Sequence, residues 1–215
     1  MAQKTLLQLL SSMAIHINGD TTAPTVGDDE YLLWAEAVNQ TQDDWAGVEY
    51  NWPQLRKTLN TTILVSGTSV GLPTDFRKLD GYPEFNGVAF PEVRPEEVTR
   101  FSSTDALVTI DYNTNYLSVS PARASTESVA IRYHSRPTSL ATTTAISLCP
   151  SDNYLVFGAV GKVLLSRDDG KYVEFESKAD TLLQQMLGQD VHEGEQMDTR
   201  VKSRQELSGF TLGVS

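Results

Sequence analysis

In the stretch GLPTDFRKLDG, residues 71–81, Asp75 and Arg77 flank Phe76. A carboxylate beside a guanidinium is the arrangement in this chain that most resembles a reaction site. An acid-base role for Asp75 requires a second group to orient or activate it. The sequence identifies none. The structural alternative asks for less: Gly71 and Pro73 end a strand, and Thr74 or Asp75 caps a short turn. Phe76 and Leu79 then bury themselves while Asp75, Arg77 and Lys78 stay in water. Pro73, Asp75 and Phe76 are therefore expected to form a structural corner.

The other chemistry-bearing residues are dispersed. His16, His134 and His192 fall in a helix, a strand and a polar tail, with no metal-ligand spacing among them. Each is read as structural or surface. The acids of DDEYLLWAEAVNQTQDD open a helix, where the macrodipole favours them, so capping explains them. SRDDGK lacks the alternating oxygen ligands and terminal Glu of a calcium loop and reads as an interhelical turn. SGTSVG lacks the lysine and following helix of a phosphate-binding loop, and reads as a hairpin. There is no Gly-x-Ser-x-Gly nucleophile elbow. No catalytic residue, metal or cofactor is expected.

Composition narrows the class further. The 215 residues suffice for one domain with a sizeable core, or a domain with an appendage. The net charge is −11 and the pI about 4.6, with scattered cations and no basic stripe, which argues against a DNA-gripping surface. An acidic surface still suits a passage through which DNA slides without sticking. No apolar run is long enough to span a membrane. The start, MAQKTLLQLLSSMAIHING, superficially resembles a signal peptide, but its Leu6, Leu9, Leu10, Met13, Ile17 spacing fits an amphipathic helix better. The single cysteine, Cys149, excludes an internal disulfide and suits a reducing compartment.

The elements follow from periodicity. A helix is expected over Lys4–Ile17, and a second from a cap at Asp28 or Asp29, with Tyr31, Leu32, Trp34, Ala35 and Val38 on its face and a break near Gly47. NWPQLRKTL is predicted to start another helical turn, with Leu55 and Leu59 at spacing four. Trp34 belongs to the core; Trp45 and Trp52 suit either core or an interface. From NTTILVSGTSVGLP to about residue 148 the chain reads as β-rich. ALVTIDYNTNYLSVSP is a hairpin with its tip at Asp111–Asn115, and RPEEVTRF supplies one helical turn. In SVAIRYHSRP, Val129, Ile131 and Tyr133 face one way, Arg132 and His134 the other. Ser151 or Asp152 then caps a helix that returns, after RDDGK, through Tyr172–Leu187 as a helical hairpin.

After Gly188 apolar periodicity stops. Such a polar tail cannot offset its own ordering entropy and is expected to be ordered only by a partner. The fold class is α+β: N-terminal helices (residues 1–60) and a C-terminal helical hairpin (149–188) form a bundle. A β-rich region (61–148) is inserted between them, and an extended arm (189–215) follows.

This order resembles the head-to-tail connector (adaptor) proteins of tailed bacteriophages. NWPQLRKTL leads into TTILVSGTSVGLPTDFRKL. The stretch GYPEFNGVAFPEVRPEEV then gives way to strands, and SDNYLVFGAVGKVLLSRDDGKYVEFESKADTLLQQML resembles the family's paired helices. The resemblance implies a structural virion protein of the neck, assembled in the host cytoplasm. It forms a ring of commonly twelve copies beneath the portal protein and carries the DNA channel toward the tail. Its partners would be the portal, tail or neck proteins and further copies of itself. DNA would pass without specific binding, and no membrane is involved. It also implies a portal-docking arm, with Phe210 and Leu212 as apolar anchors and Arg200, Lys202 and Arg204 as partners for acidic portal groups. The long β-rich middle departs from some relatives. Two rivals stand beside this reading: another neck or tail-completion component, and a carbohydrate-binding β-rich module using Asp75, Asp111, Tyr112 and Tyr116. The latter is disfavoured because those aromatics alternate as strand residues do and suffice for core packing.

Overall fold

A computed structural model of the chain describes residues 3–48 and 52–188. It is a mixed α+β protein whose sheets are antiparallel. The chain divides into two compact units, Met1–Trp45 with Leu140–Ser215, and Ala46–Ser139.

The first unit is helical. α1 (Leu6–Ile17) starts at a capping box, in which the Gln8 backbone N–H donates to Thr5 Oγ1 and the Thr5 N–H donates to Gln8 Oε1. Leu6, Leu9, Leu10, Met13 and Ala14 bury one stripe of it. α2 (Asp29–Gly47) buries Tyr31, Trp34, Val38 and Trp45. Leu32, expected on that face, is 56% exposed, because a stripe through 31, 34, 38 and 41 leaves position 32 on the outer side. α3 (Asp152–Ser166) begins at Ser151, whose Oγ accepts from the Tyr154 N–H at 3.2 Å. It touches each of the other helices, through Phe157 and His16 on α1, Lys162 and Asp44 on α2, and Phe157 and Phe175 on a fourth helix, α4, over 172–188.

α3 and α4 form the expected hairpin. The chain turns at Asp168, which takes the left-handed conformation (φ 56°), while the Asp168 and Asp169 N–H groups donate back to the Leu165 and Leu164 carbonyls. This is a Schellman stop made by an aspartate rather than by Gly170. Residues 140–151 contain no strand and lie with the helices: the Leu140 N–H donates to Asn39 Oδ1 at 2.7 Å, and Thr5 bridges Ile146.

The second unit holds two sheets around a shared core that includes Ile63, Phe76, Phe85, Val108, Leu117 and Ile131. One sheet has the order β1-β8-β4-β5, with β3 also on β8; the other has the order β2-β7-β6. The strands are β1 (Arg56–Ile63), β2 (Ser69–Gly71), β3 (Phe76–Leu79), β4 (Glu84–Phe85), β5 (Val88–Ala89), β6 (Leu107–Asp111), β7 (Tyr116–Ser120) and β8 (Glu127–Ser135). The β6–β7 hairpin and the 3-10 turn at Pro95–Arg100 fall where the sequence placed them.

Two expectations are corrected. NWPQLRKTL is helical only over Pro53–Leu55; Arg56 already begins β1, since Lys57, Thr58 and Thr61 have partners waiting across β8. The segment SGTSVG does not close a hairpin, because β1 pairs with β8 and β2 with β7, so the turn carries the chain from one sheet to the other. Trp45 and Trp52, for which core and interface were both open, are fully buried within the chain.

Candidate functional site

The corner at 71–81 is built by the passage from β2 to β3. The Phe76 N–H donates to the Pro73 carbonyl at 3.0 Å, and the Phe76 ring is buried 5.6 Å from Tyr133 and 6.1 Å from Tyr112. Asp75 is half-buried rather than free in water. Its carboxylate lies 2.6 Å from Lys57 Nζ on β1 and accepts from Tyr133 Oη on β8 at 3.2 Å, while its carbonyl accepts from the Arg136 N–H at 2.6 Å. Burial, together with the Asp75 charge, pushes the Tyr133 phenol above its ordinary range. Arg77 is likewise engaged: its guanidinium donates to the Ala46 and Gly47 carbonyls. A carboxylate so tied between two strands has no substrate-facing partner to work with, and its contacts are those of a strut.

His134 lies on the face opposite Val129, Ile131 and Tyr133, as alternation requires, yet it is 2% exposed. Asp80 Oδ1 sits 3.5 Å from its Nε2, within ion-pair range but long for a hydrogen bond. Burial holds the imidazole below its ordinary pKa; Asp80 opposes that shift, and Lys78 and Arg56 reinforce it. His16 instead packs against Phe157 and Phe175, with ring centroids 5.5 and 5.4 Å away. Burial and the nearby Lys178 charge lower its pKa too. The two imidazoles belong to different units. His192 lies outside the described residues, as do the arm residues Arg200, Lys202, Arg204, Phe210 and Leu212. Among the described residues no group of three His, Cys, Asp or Glu could hold a metal ion.

Two clefts remain. A cleft of about 510 Å³ in the second unit is lined by residues that include Glu92, Arg94, Glu96, Asp111 and Tyr112. Its most chemically suggestive acid, Asp111, is committed to the β6–β7 turn: the Asn113 and Thr114 N–H groups donate to its Oδ1 at 2.9 and 3.3 Å. Hydrogen bonding from Thr114 and Asn113 lowers its pKa, as expected for a carboxylate held ionised by donors. Tyr112 and Tyr116 are 54% and 50% exposed, which corrects the expectation that they fill the core; Leu117 and Val119 do that instead. A smaller crevice of about 200 Å³ between α2, α3 and α4 brings Asp44, Glu176 and Asp180 around Lys162, which pairs with Asp44 at 2.8 Å.

The sequence reading missed the β4–β5 hairpin, although Asn86-Gly87 was the signal: both residues have positive φ (49° and 78°), the requirement of a tight primed turn. It also missed the Arg123–Glu127 pair, two hydrogen bonds of 3.0 and 2.9 Å with the guanidinium 4.9 Å from the Phe90 ring centre.

Asp75, Arg77, Asp111 and Lys162 are engaged in holding elements together, which suits a structural role. The comparison with known families agrees. A family model described as SU10 adaptor protein matches residues 4–204, nearly the whole chain, and the chain belongs to that family of structural phage adaptors. The match takes in Arg200, Lys202 and Arg204 and stops short of Phe210 and Leu212. No curated protein matches the chain.

Proposed function

We propose that this protein is a head-to-tail adaptor of the virion neck: copies of it form a ring beneath the portal, commonly of twelve, and extend the DNA channel toward the tail. The observation that carries this reading is the family match across residues 4–204. The distribution of charge supports it. Residues 1–45 and 140–188 contain thirteen acids against five bases, whereas residues 46–139 contain ten against nine. A net charge near −8 on the helical unit is the surface along which a polyphosphate slides without adhering.

In this reading the helices pack as a bundle that makes the ring contacts, and the Pro73–Phe76 corner only holds β3 in place. The arm, residues 189–215, docks on the portal: Phe210 and Leu212 fill apolar pockets, and Arg200, Lys202 and Arg204 meet acidic groups. Ring geometry multiplies modest contacts into a stable attachment. Deleting Gln189–Ser215 is expected to leave a folded protein that no longer adds to portal complexes, as mass photometry of the mixture would show. A truncated chain that still adds in fixed high copy number refutes the arm assignment. Attachment to isolated tails instead of portals makes the protein a tail-completion component.

A further inference from the structure

We infer that β1 is an open docking edge, and that in the free protein it pairs with β1 of a second copy in antiparallel register centred on Asn60. The inference is independent of the ring reading, because a two-fold contact closes on itself and cannot repeat around a ring.

The backbone directions decide which groups are free. The Asn86 N–H donates to the Ser128 carbonyl and the Asp80 N–H to the Arg132 carbonyl, so even-numbered residues of β8 turn toward β4 and β3. Odd-numbered residues therefore turn toward β1, and the register Lys57↔Tyr133, Leu59↔Ile131, Thr61↔Val129 uses the backbone groups of Lys57, Leu59 and Thr61. The N–H and C=O groups of Thr58, Asn60 and Thr62 point off the sheet. None of them has a partner among the described residues, and all three residues are exposed. β1 is also the end strand of its sheet.

Natural edges are usually guarded by a proline, a bulge or a free charge. β1 has no proline, and its eight-residue register with β8 is unbroken. Its two cations stand only at its start and are already paired, Arg56 with Asp80 at 3.5 Å and Lys57 with Asp75 at 2.6 Å. The middle of the strand carries no guard.

A second copy fits this edge. Antiparallel pairing about Asn60 sets Thr58 against Thr62, a favourable cross-strand pair, with Asn60 against Asn60 and Leu59 against Thr61. It places no like charges opposite one another: Lys57 meets Ile63, and Arg56 meets Leu64, which is 68% exposed and gains cover from the arginine stem. The unit that carries β1 is nearly neutral, with ten acids against nine bases, so two such units meet without the repulsion that two helical units would face. One strand pair is a small interface, in the class below about 1,200 Å² that associates weakly and reversibly.

The test uses the full chain with Asn60→Cys. Across a hydrogen-bonded antiparallel pair the Cα atoms lie about 5.5 Å apart, inside the disulfide range, and the native Cys149 is buried and cannot compete. Mild oxidation is expected to link this variant into dimers at least tenfold faster than Thr62→Cys alone, whose two copies would sit about 14 Å apart along the strands. Mixing Thr58→Cys with Thr62→Cys should restore linkage. Asn60→Pro removes an N–H that no strand of the same chain uses. It should keep the wild-type circular dichroism while abolishing the concentration-dependent dimer in sedimentation velocity. Equal linkage rates for the Asn60 and Thr62 variants overturn the inference. So does a wild-type chain that stays monomeric at high concentration, or a dimer that survives Asn60→Pro.

Discussion

The helical unit and the β unit solve the problem of a surface in opposite ways. The helices satisfy their backbone internally and meet solvent with an excess of eight acids. The β unit carries almost no net charge and leaves six backbone groups of β1 without partners among the described residues. An unpaired strand edge invites a partner through the main chain, which is indifferent to sequence, whereas a charged helix surface discriminates by repulsion. In the role proposed above, the two properties suit different neighbours: the acidic helices would suit a polyphosphate that passes, the sheet edge a polypeptide that stays.

The largest expected effects test whether the two units are as separate energetically as they are in chemistry. Leu155 on α3 and Ile131 on β8 are each fully buried. Truncating either to alanine is expected to cost about 2–5 kcal/mol. Hydrogen exchange resolved along the chain should show Leu155→Ala raising exchange chiefly in α1–α4 and Ile131→Ala chiefly in β1–β8. Equal loss of protection in both units after either change would erase the distinction.

A smaller effect tests how closely the helices approach one another. A Cβ added at Gly158 would come within 2.5 Å of Thr41 Cγ2, and Thr41 is held in place by its Oγ1 donating to the Ala37 carbonyl at 2.8 Å. Gly158→Ala is therefore expected to destabilise by about 1–3 kcal/mol despite alanine's better helix propensity. Thr41→Ser, which deletes the clashing methyl, should recover most of that loss in a urea titration. A Gly158→Ala variant as stable as the wild type would mean that α2 and α3 pack more loosely than their contacts indicate.

What was legible in the sequence follows the same division. Helical periodicity announced α1, α3 and α4 because a 3.6-residue stripe and its caps are local: Thr5 with Gln8, and Ser151 with Tyr154, lie three residues apart. Strand β8 and the β6–β7 hairpin were legible for the same reason. What failed was non-local. Nothing within RKTLNTTI tells β1 that its partner lies some seventy residues onward, so propensity and Pro53 suggested a helix. Nothing in SGTSVG reveals that its flanking strands join different sheets. The corner at Asp75 was foreseen as a turn, but its ties to Lys57, Tyr133 and Arg136 depend on three strands converging. The family resemblance, which rests on the order of elements, survived these local errors because order does not depend on which strand pairs with which.

The smallest effect separates the units by pH. Both described histidines have folded pKa values below the ordinary value of about 6.5. The unfolded chain then binds protons more readily than the native one, so stability contributed by the neutral rings is intact above pH 6.5. It is lost as pH falls from there through the folded pKa values. The surroundings differ between units. His16 is exposed and has the Lys178 cation beside it, whereas His134 is buried and faces one anion, Asp80, against Lys78 and Arg56. Asp80→Asn removes the partner among the described residues that favours the charged form and should move the His134 titration to still lower pH while leaving His16 unchanged. Nuclear magnetic resonance titration of the two imidazole Cε1–H signals reads each unit separately. A His134 that titrates at or above 6.5 in the wild type, or that does not respond to Asp80→Asn, would show that its burial in the sheet is not what governs its charge.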